Sequence, residues 1–237
     1  LVEEDFISAE IEAVPAGKAR DIGFDRSMVG AYGQDDRVCV YTSLTALMAT
    51  RAPLHTGVAL FFDKEEIGSE GNSGAQSAFV ADFFSDLLAL TGEPDDDRNL
   101  RKALLRSACL SADVNAAVDP DFKEVHEKRN AARLGNGICL TKFTGVRGKS
   151  GSSDASAEFV GEIRSLFNRH GIPWQTGELG KIDQGGGGTV AKFLARFGMD
   201  VLDCGPALLS MHAPFEIASK ADIYATYKAY KAFYGQN

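Results

Sequence analysis

The order of apolar and polar positions along the chain predicts strands and helices in alternation. From Phe6 to Val14 ("FISAEIEAV") apolar and polar residues alternate, the period of a half-buried strand, and Pro15-Ala16-Gly17 ends it. An irregular Gly-rich stretch follows from Asp21. Val38 to Ala49 carries apolar residues at helical spacing without a breaker, which predicts a helix opening at Asp35-Asp36. The run "GVALFF" at 57–62 is short and continuous, as in a strand covered on both faces. Helices are predicted at Ser73–Leu90, Leu100–Ser107, Ala155–Arg169, Val190–Phe197 and Ser219–Tyr234. Further strands are predicted at Ala108–Val114, Gly137–Phe143, within "IPWQTGELG" and at Val201–Cys204. The stretch between Asn115 and Gly137 has few apolar residues and reads as a long loop, and "TGVRGKSGSSDAS" reads as a Gly/Ser-rich one.

This alternation, with polar loops after the strands, predicts an α/β fold: a mostly parallel central sheet with helices on both faces. In such sheets a site forms beyond the carboxyl ends of the strands.

Composition narrows the function classes. The 237 residues are 44% hydrophobic and 24% charged, an ordinary globular mix. A formal net charge of −8 argues against a nucleic-acid partner, which needs a basic surface. No apolar run approaches the ~20 residues of a membrane span, so no membrane partner is expected. Cys39, Cys109, Cys139 and Cys204 form no CxxC and lie in apolar contexts. They read as buried free thiols of a reducing, cytoplasmic compartment. The chain opens on "LVEEDF" without a methionine and reads like the interior of a longer protein.

The chemistry lies at the ends of the apolar runs. Asp35 and Asp36 stand at a predicted helix start, Glu65 and Glu66 just after "GVALFF", Asp113 at the end of "CLSAD", and His212 after "CGPALLSM". Converging carboxylates repel and raise one another's pKa. A pair of divalent cations removes that penalty, and oxygen and imidazole donors suit zinc, manganese or cobalt. Adjacent residues of an extended segment point to opposite sides. One glutamate of the Glu65-Glu66 pair can therefore hold a cation while the other takes a proton from the attacking water. This is the pattern of a metal-assisted hydrolase. It does not by itself separate an aminopeptidase from a carboxypeptidase or deacetylase.

Together "YGQDDRVC", "FFDKEEIGSEGNSGA", "SADVNAAVDP", "NAARLGNG" and "MHAPFE" resemble the aspartyl aminopeptidase and vacuolar aminopeptidase I family of zinc metallopeptidases. The bacterial branch, with "GQDDR" where eukaryotic members show "RLDN", is the most similar. The resemblance runs along the whole chain. It implies an aminopeptidase with two divalent cations, zinc first and manganese or cobalt as alternatives. It also implies peptide substrates with an acidic N-terminal residue and a large homo-oligomer, the family dodecamer. Glu65 would be the general base. Asp35 would bridge the cations, chosen over Asp36 by the register of "DDR". Glu66 and His212 would complete one site, and Asp113 would serve the second. The family's remaining histidine lies in a "GHxDSPR"-like segment that this sequence does not contain. The histidines here are His55, His126, His170 and His212.

Members of that family are about twice as long. Residues 1–22 therefore correspond to the end of an inserted β-rich dimerisation domain, and 23–237 to the C-terminal part of the catalytic domain. A non-catalytic shell subunit of the same fold is the alternative. The resemblance places His126 beside the substrate cleft. Lys149, in the loop before a helix, offers a cation for an acidic substrate side chain. Gly186 and Gly187, within "DQGGGGTV", would let backbone amides approach the substrate.

Overall fold

The runs "ACLS", "ICLT" and "DVLDCG" lie side by side at the centre of the molecule. The computed structural model describes residues 1–94, 96–147 and 150–236. The helices are α1 (Glu3–Ile7), α2 (Gln34–Ala49), α3 (Phe79–Thr91), α4 (Asp97–Leu105), α5 (Ala157–Arg169), α6 (Ala191–Leu194) and α7 (Lys220–Tyr234). The first strands are β1 (Arg20–Ile22), β2 (Met28–Ala31), β3 (Ala108–Ser111), β4 (Asn115–Ala116), β5 (Ile138–Thr141) and β6 (Phe143–Val146). The others are β7 (Ser150–Asp154), β8 (Trp174–Thr176), β9 (Asp200–Gly205), β10 (Ala207–Leu209) and β11 (Glu216–Ser219).

The central sheet has the order β3-β9-β5-β8. Its β3–β9 and β5–β8 pairs are parallel and its β5–β9 pair antiparallel. Alternation along β9 feeds both faces. Leu202 and Cys204 pack with Ile138, Leu140, Phe159, Ile163, Phe167 and Tyr230 under α5 and α7. Val201 points the other way, to Val80, Leu104 and Leu194 under α3, α4 and α6. This is the predicted α/β arrangement, with helices on both faces. Side-chain caps start the helices that cover it: Ser156 accepts from Phe159 N, Ser219 from Asp222 N, and Asp96 from Asn99 N.

A second sheet, β1-β2-β11-β10-β4, is mainly antiparallel. It packs through Leu208 and Ala218 onto Val38, Cys39 and Val114. Its strands are short and lie between turns, so the hydrophobic pattern did not reveal them.

Three local expectations change. Phe6–Val14 is not a strand: after α1 the chain is irregular to Ala19 and exposed throughout. Alternation alone makes no strand where no neighbour completes the ladder. Residues 57–62 likewise carry no strand pairing, although four of the first positions are half-buried. Third, the Gly/Ser-rich stretch before α5 forms the β6–β7 hairpin rather than a plain loop.

Candidate metal centre

Four separate elements deliver the acidic residues and His212 to one place. Gly33 has φ 66°, the left-handed conformation that turns β2 into α2. Asp35 and Asp36 follow it in non-helical conformations, joined by a cis peptide bond. Glu65 and Glu66 open a single 3-10 turn, Glu65–Ile67, held between left-handed Lys64 and Gly68. Asp113 lies just beyond β3 and His212 in the β10–β11 turn, where its φ is 65°.

The side chains converge as two groups. The ligand atoms of Asp35, Glu66 and His212 lie within 4.8 Å of one another, and so do those of Asp35, Asp36 and Asp113. Asp35 belongs to both. His212 Nε2 is 2.7 Å from Asp35 Oδ2 and 3.0 Å from Glu66 Oε1. Among the described residues, no lysine or arginine forms an ion pair with Asp35, Asp36, Glu65, Glu66 or Asp113.

The electrostatics follow from crowding without countercharge. Burial, then the Glu66 charge, raises the Asp35 pKa, and His212 opposes the shift. Burial, with the charges of Asp35 and Glu65 added, raises Asp36 well above the carboxylate range. Burial and the Asp36 and Asp203 charges do the same to Asp113. Glu65 is pushed up to about 7 by burial and by the charges of Glu66 and Asp35. Asp36 Oδ1 is buried without a hydrogen-bond partner. Several carboxylates and one imidazole, short of positive charge and with a bare buried oxygen, form a donor set that fits divalent cations of the zinc class. A cavity of about 840 Å³ opens beside them, lined also by Leu60, Phe84 and Tyr230.

The structure thus brings together Asp35, Glu65, Glu66, Asp113 and His212, and adds Asp36. It does not bring in His126, which is 8% exposed in the loop after β4 and accepts from Asp119 N at 3.4 Å. Gly186 and Gly187 do not line the cavity. The Gly-rich loop is pinned to the β6–β7 hairpin, with Gly145 N donating to Gly187 O at 2.8 Å and Arg147 N to Gly185 O at 2.9 Å. Lys149 lies outside the described residues.

Sequence reasoning missed two buried acids near the site. Asp203 is a lone acid inside the apolar run "VLDCG", and that isolation was the available signal. Glu216 closes "MHAPFE" and was passed over as part of the motif.

Comparison with known proteins places the chain in a family. The family profile described as "Aminopeptidase I zinc metalloprotease (M18)" matches residues 1–234. A "Probable M18 family aminopeptidase 1" of Clostridium acetobutylicum is 56% identical over 233 residues, 98% of this chain and 50% of that protein. The crystal structure of an M18-family aminopeptidase from Thermotoga maritima superposes with a TM-score of 0.96 at 51% identity. It covers 100% of this chain and 52% of that one. The S. cerevisiae mApe1 dodecamer shares the fold, with a TM-score of 0.73 at 24% identity over 93% of this chain and 48% of its own. The chain spans about half the length of the curated relatives it matches. It belongs to the aminopeptidase I (M18) family of zinc metalloproteases.

Proposed function

We propose that this chain carries most of the catalytic centre of an aminopeptidase that releases N-terminal residues from peptides, acidic ones (Asp or Glu) first. The observation that supports it most is the shared position of Asp35. One carboxylate stands in both ligand groups, with Glu65 beside them.

In this reading Asp35, Glu66 and His212 would hold one cation. Asp35 and Asp113 would help to hold a second, together with the histidine that the resemblance implies in a "GHxDSPR"-like segment. Bound divalent cations supply Lewis acidity to the scissile carbonyl and to the attacking water. Glu65 accepts a proton from that water as the C–O bond forms, and delivers it to the amine nitrogen as the C–N bond breaks.

Residues 1–22 are assigned to an inserted dimerisation domain and 23–237 to the catalytic part. A homo-oligomer is part of the proposal. It is supported by the side chains of Phe6, Ile7, Ile11 and Val14, exposed on the first segment and suited to cover by another surface.

A panel of chromogenic aminoacyl substrates, offered to the whole zinc-loaded protein, tests the reading. Faster release of Asp and Glu than of Leu, with no turnover of N-acetylated substrates, is expected. Equal turnover of blocked substrates would overturn the aminopeptidase assignment.

A further inference from the structure

Glu216 is one of the most deeply buried charged residues described, 2% exposed, and it forms no ion pair. Its carboxylate faces backbone. Oε2 accepts from Gln34 N at 2.5 Å and from Asp35 N at 3.2 Å, and Oε1 accepts from His212 N at 2.9 Å. The Gln34 side chain closes the arrangement, with Nε2 donating to Glu216 O at 2.6 Å and to Val29 O at 3.2 Å.

These donors are groups with few alternatives. Asp35 and Asp36 are non-helical, so the N–H groups of Gln34 and Asp35 lie ahead of the regular part of α2, and Gly33 offers no side chain to accept from them. Glu216, from β11, accepts from both instead. The same carboxylate holds the N–H of His212 in a left-handed conformation that a residue other than glycine seldom adopts. One side chain therefore fixes both segments that carry Asp35 and His212. Its cost is a further negative charge beside a site already crowded with them, and that charge raises the Asp35 pKa. An uncharged acceptor would take these N–H groups at lower cost. A carboxylate can take donors on both oxygens at once and adds attraction for cations.

We propose that Glu216 is a positioning residue of the metal centre: it sets Asp35 and His212 at one spacing before any cation arrives. The proposal rests on reading those two residues as metal ligands. Partners that orient metal ligands from behind are typically worth 10–100-fold in affinity.

The test is zinc affinity of the whole protein, measured by competition with a chromophoric chelator, alongside thermal midpoints with and without zinc. E216Q keeps the size but puts an NH₂ against a backbone N–H, so one of the two ties is lost. Zinc binding is expected to weaken 10–100-fold, and the midpoint gain on adding zinc to shrink. E216D keeps the charge but is one methylene shorter, and is expected to fall in between. It carries the test if E216Q does not fold.

D222N is the control for losing a buried carboxylate tie elsewhere. Asp222 accepts from Gly135 N at 2.6 Å and Gly137 N at 2.7 Å. It should lower the midpoint and leave zinc affinity unchanged. E216Q and E216D within twofold of the parent protein, or losses equal to that of D222N, would overturn the proposal. H212A separates the two levels. If it binds zinc like the parent protein, the ligand reading fails; if it alone loses zinc, only the role of Glu216 fails.

Discussion

Replacing Asp203 by Asn should make the metal-free protein more stable at neutral pH, although it removes a buried polar group that touches its neighbours. Asp203 is 5% exposed, on the β9 face that points toward α6, and its Oδ1 has no hydrogen-bond partner. Burial raises its pKa from 3.8 to about 6, and the hydroxyls of Ser111 and Thr189 pull partly the other way. The native state therefore keeps a proton on Asp203 over a range where the unfolded chain has lost it. Stability from this group is full below pH 3.8 and drains away as pH rises through about 6. The interval of about 2 pH units, at 1.36 kcal/mol each, amounts to ~3 kcal/mol. Asn keeps the shape and an accepting oxygen but has nothing to ionise. Urea unfolding in EDTA, at pH 4.5 to 7.5, reads the difference between the two proteins. It should be small at the acid end and widen toward ~3 kcal/mol in favour of D203N at neutral pH. A difference that stays constant across that range would refute the reasoning. So would one that grows in favour of the parent protein.

Glu65→Gln should reduce kcat at least ~100-fold while zinc content, measured by atomic absorption, stays that of the parent protein. His212→Ala should lose zinc from the site, seen as a shortfall in bound metal and a smaller rise of the thermal midpoint on adding zinc. Cations lower the pKa of Glu65 from about 7, so zinc binding should release more protons at pH 6 than at pH 8. Calorimetry in buffers of different ionisation enthalpy measures that release. On the reading proposed above, the 237 residues by themselves, assayed with acidic aminoacyl substrates and added zinc or manganese, should show little or no turnover, because the second cation group would be one histidine short.

The candidate ligand residues were legible because each ends or begins an apolar run, and elements of this fold converge at those ends. Asp113 stands two residues past "ACLS" and His212 follows a buried stretch, so their positions needed no knowledge of long-range pairing. Pairing is where the reading stopped. "GVALFF" has the composition of a buried strand, yet a strand is a relation between two segments, and residues 57–62 have no such partner here. The start of α3 moved from Ser73 to Phe79 for a local reason the pattern does not carry. Residues 69–77 wrap back on themselves, with Gln76 Nε2 donating to Gly68 O at 3.0 Å. There is also no room for a Cβ on Gly74 beside Ser69 O. Glu216 was invisible for a third reason. Two of its partners are the backbone N–H groups of Gln34 and Asp35, 182 and 181 positions away in the chain, and no side-chain pattern marks them.

The spread of the candidate ligands over four elements would give cation binding a structural consequence. Asp35 lies in the non-helical start of α2, Glu66 in a 3-10 turn, Asp113 beyond the central sheet's edge strand and His212 in the turn between β10 and β11 of the second sheet. Without cations these parts hold a cluster of crowded acids, and the pKa values of Asp35, Asp36, Glu65 and Asp113 are raised first by burial and then by their mutual repulsion. Hydrogen bonds donated to Glu216 and packing through Val38 and Leu208 oppose that repulsion. A cation bound at 1,000 times its dissociation constant stabilises the native state by ~4 kcal/mol. That exceeds the ~3 kcal/mol lost at one buried acid such as Asp203. The same charges that weaken the metal-free fold are the ones that attract the cation. On this reading the two sheets are held together across the site most firmly when the cation is bound.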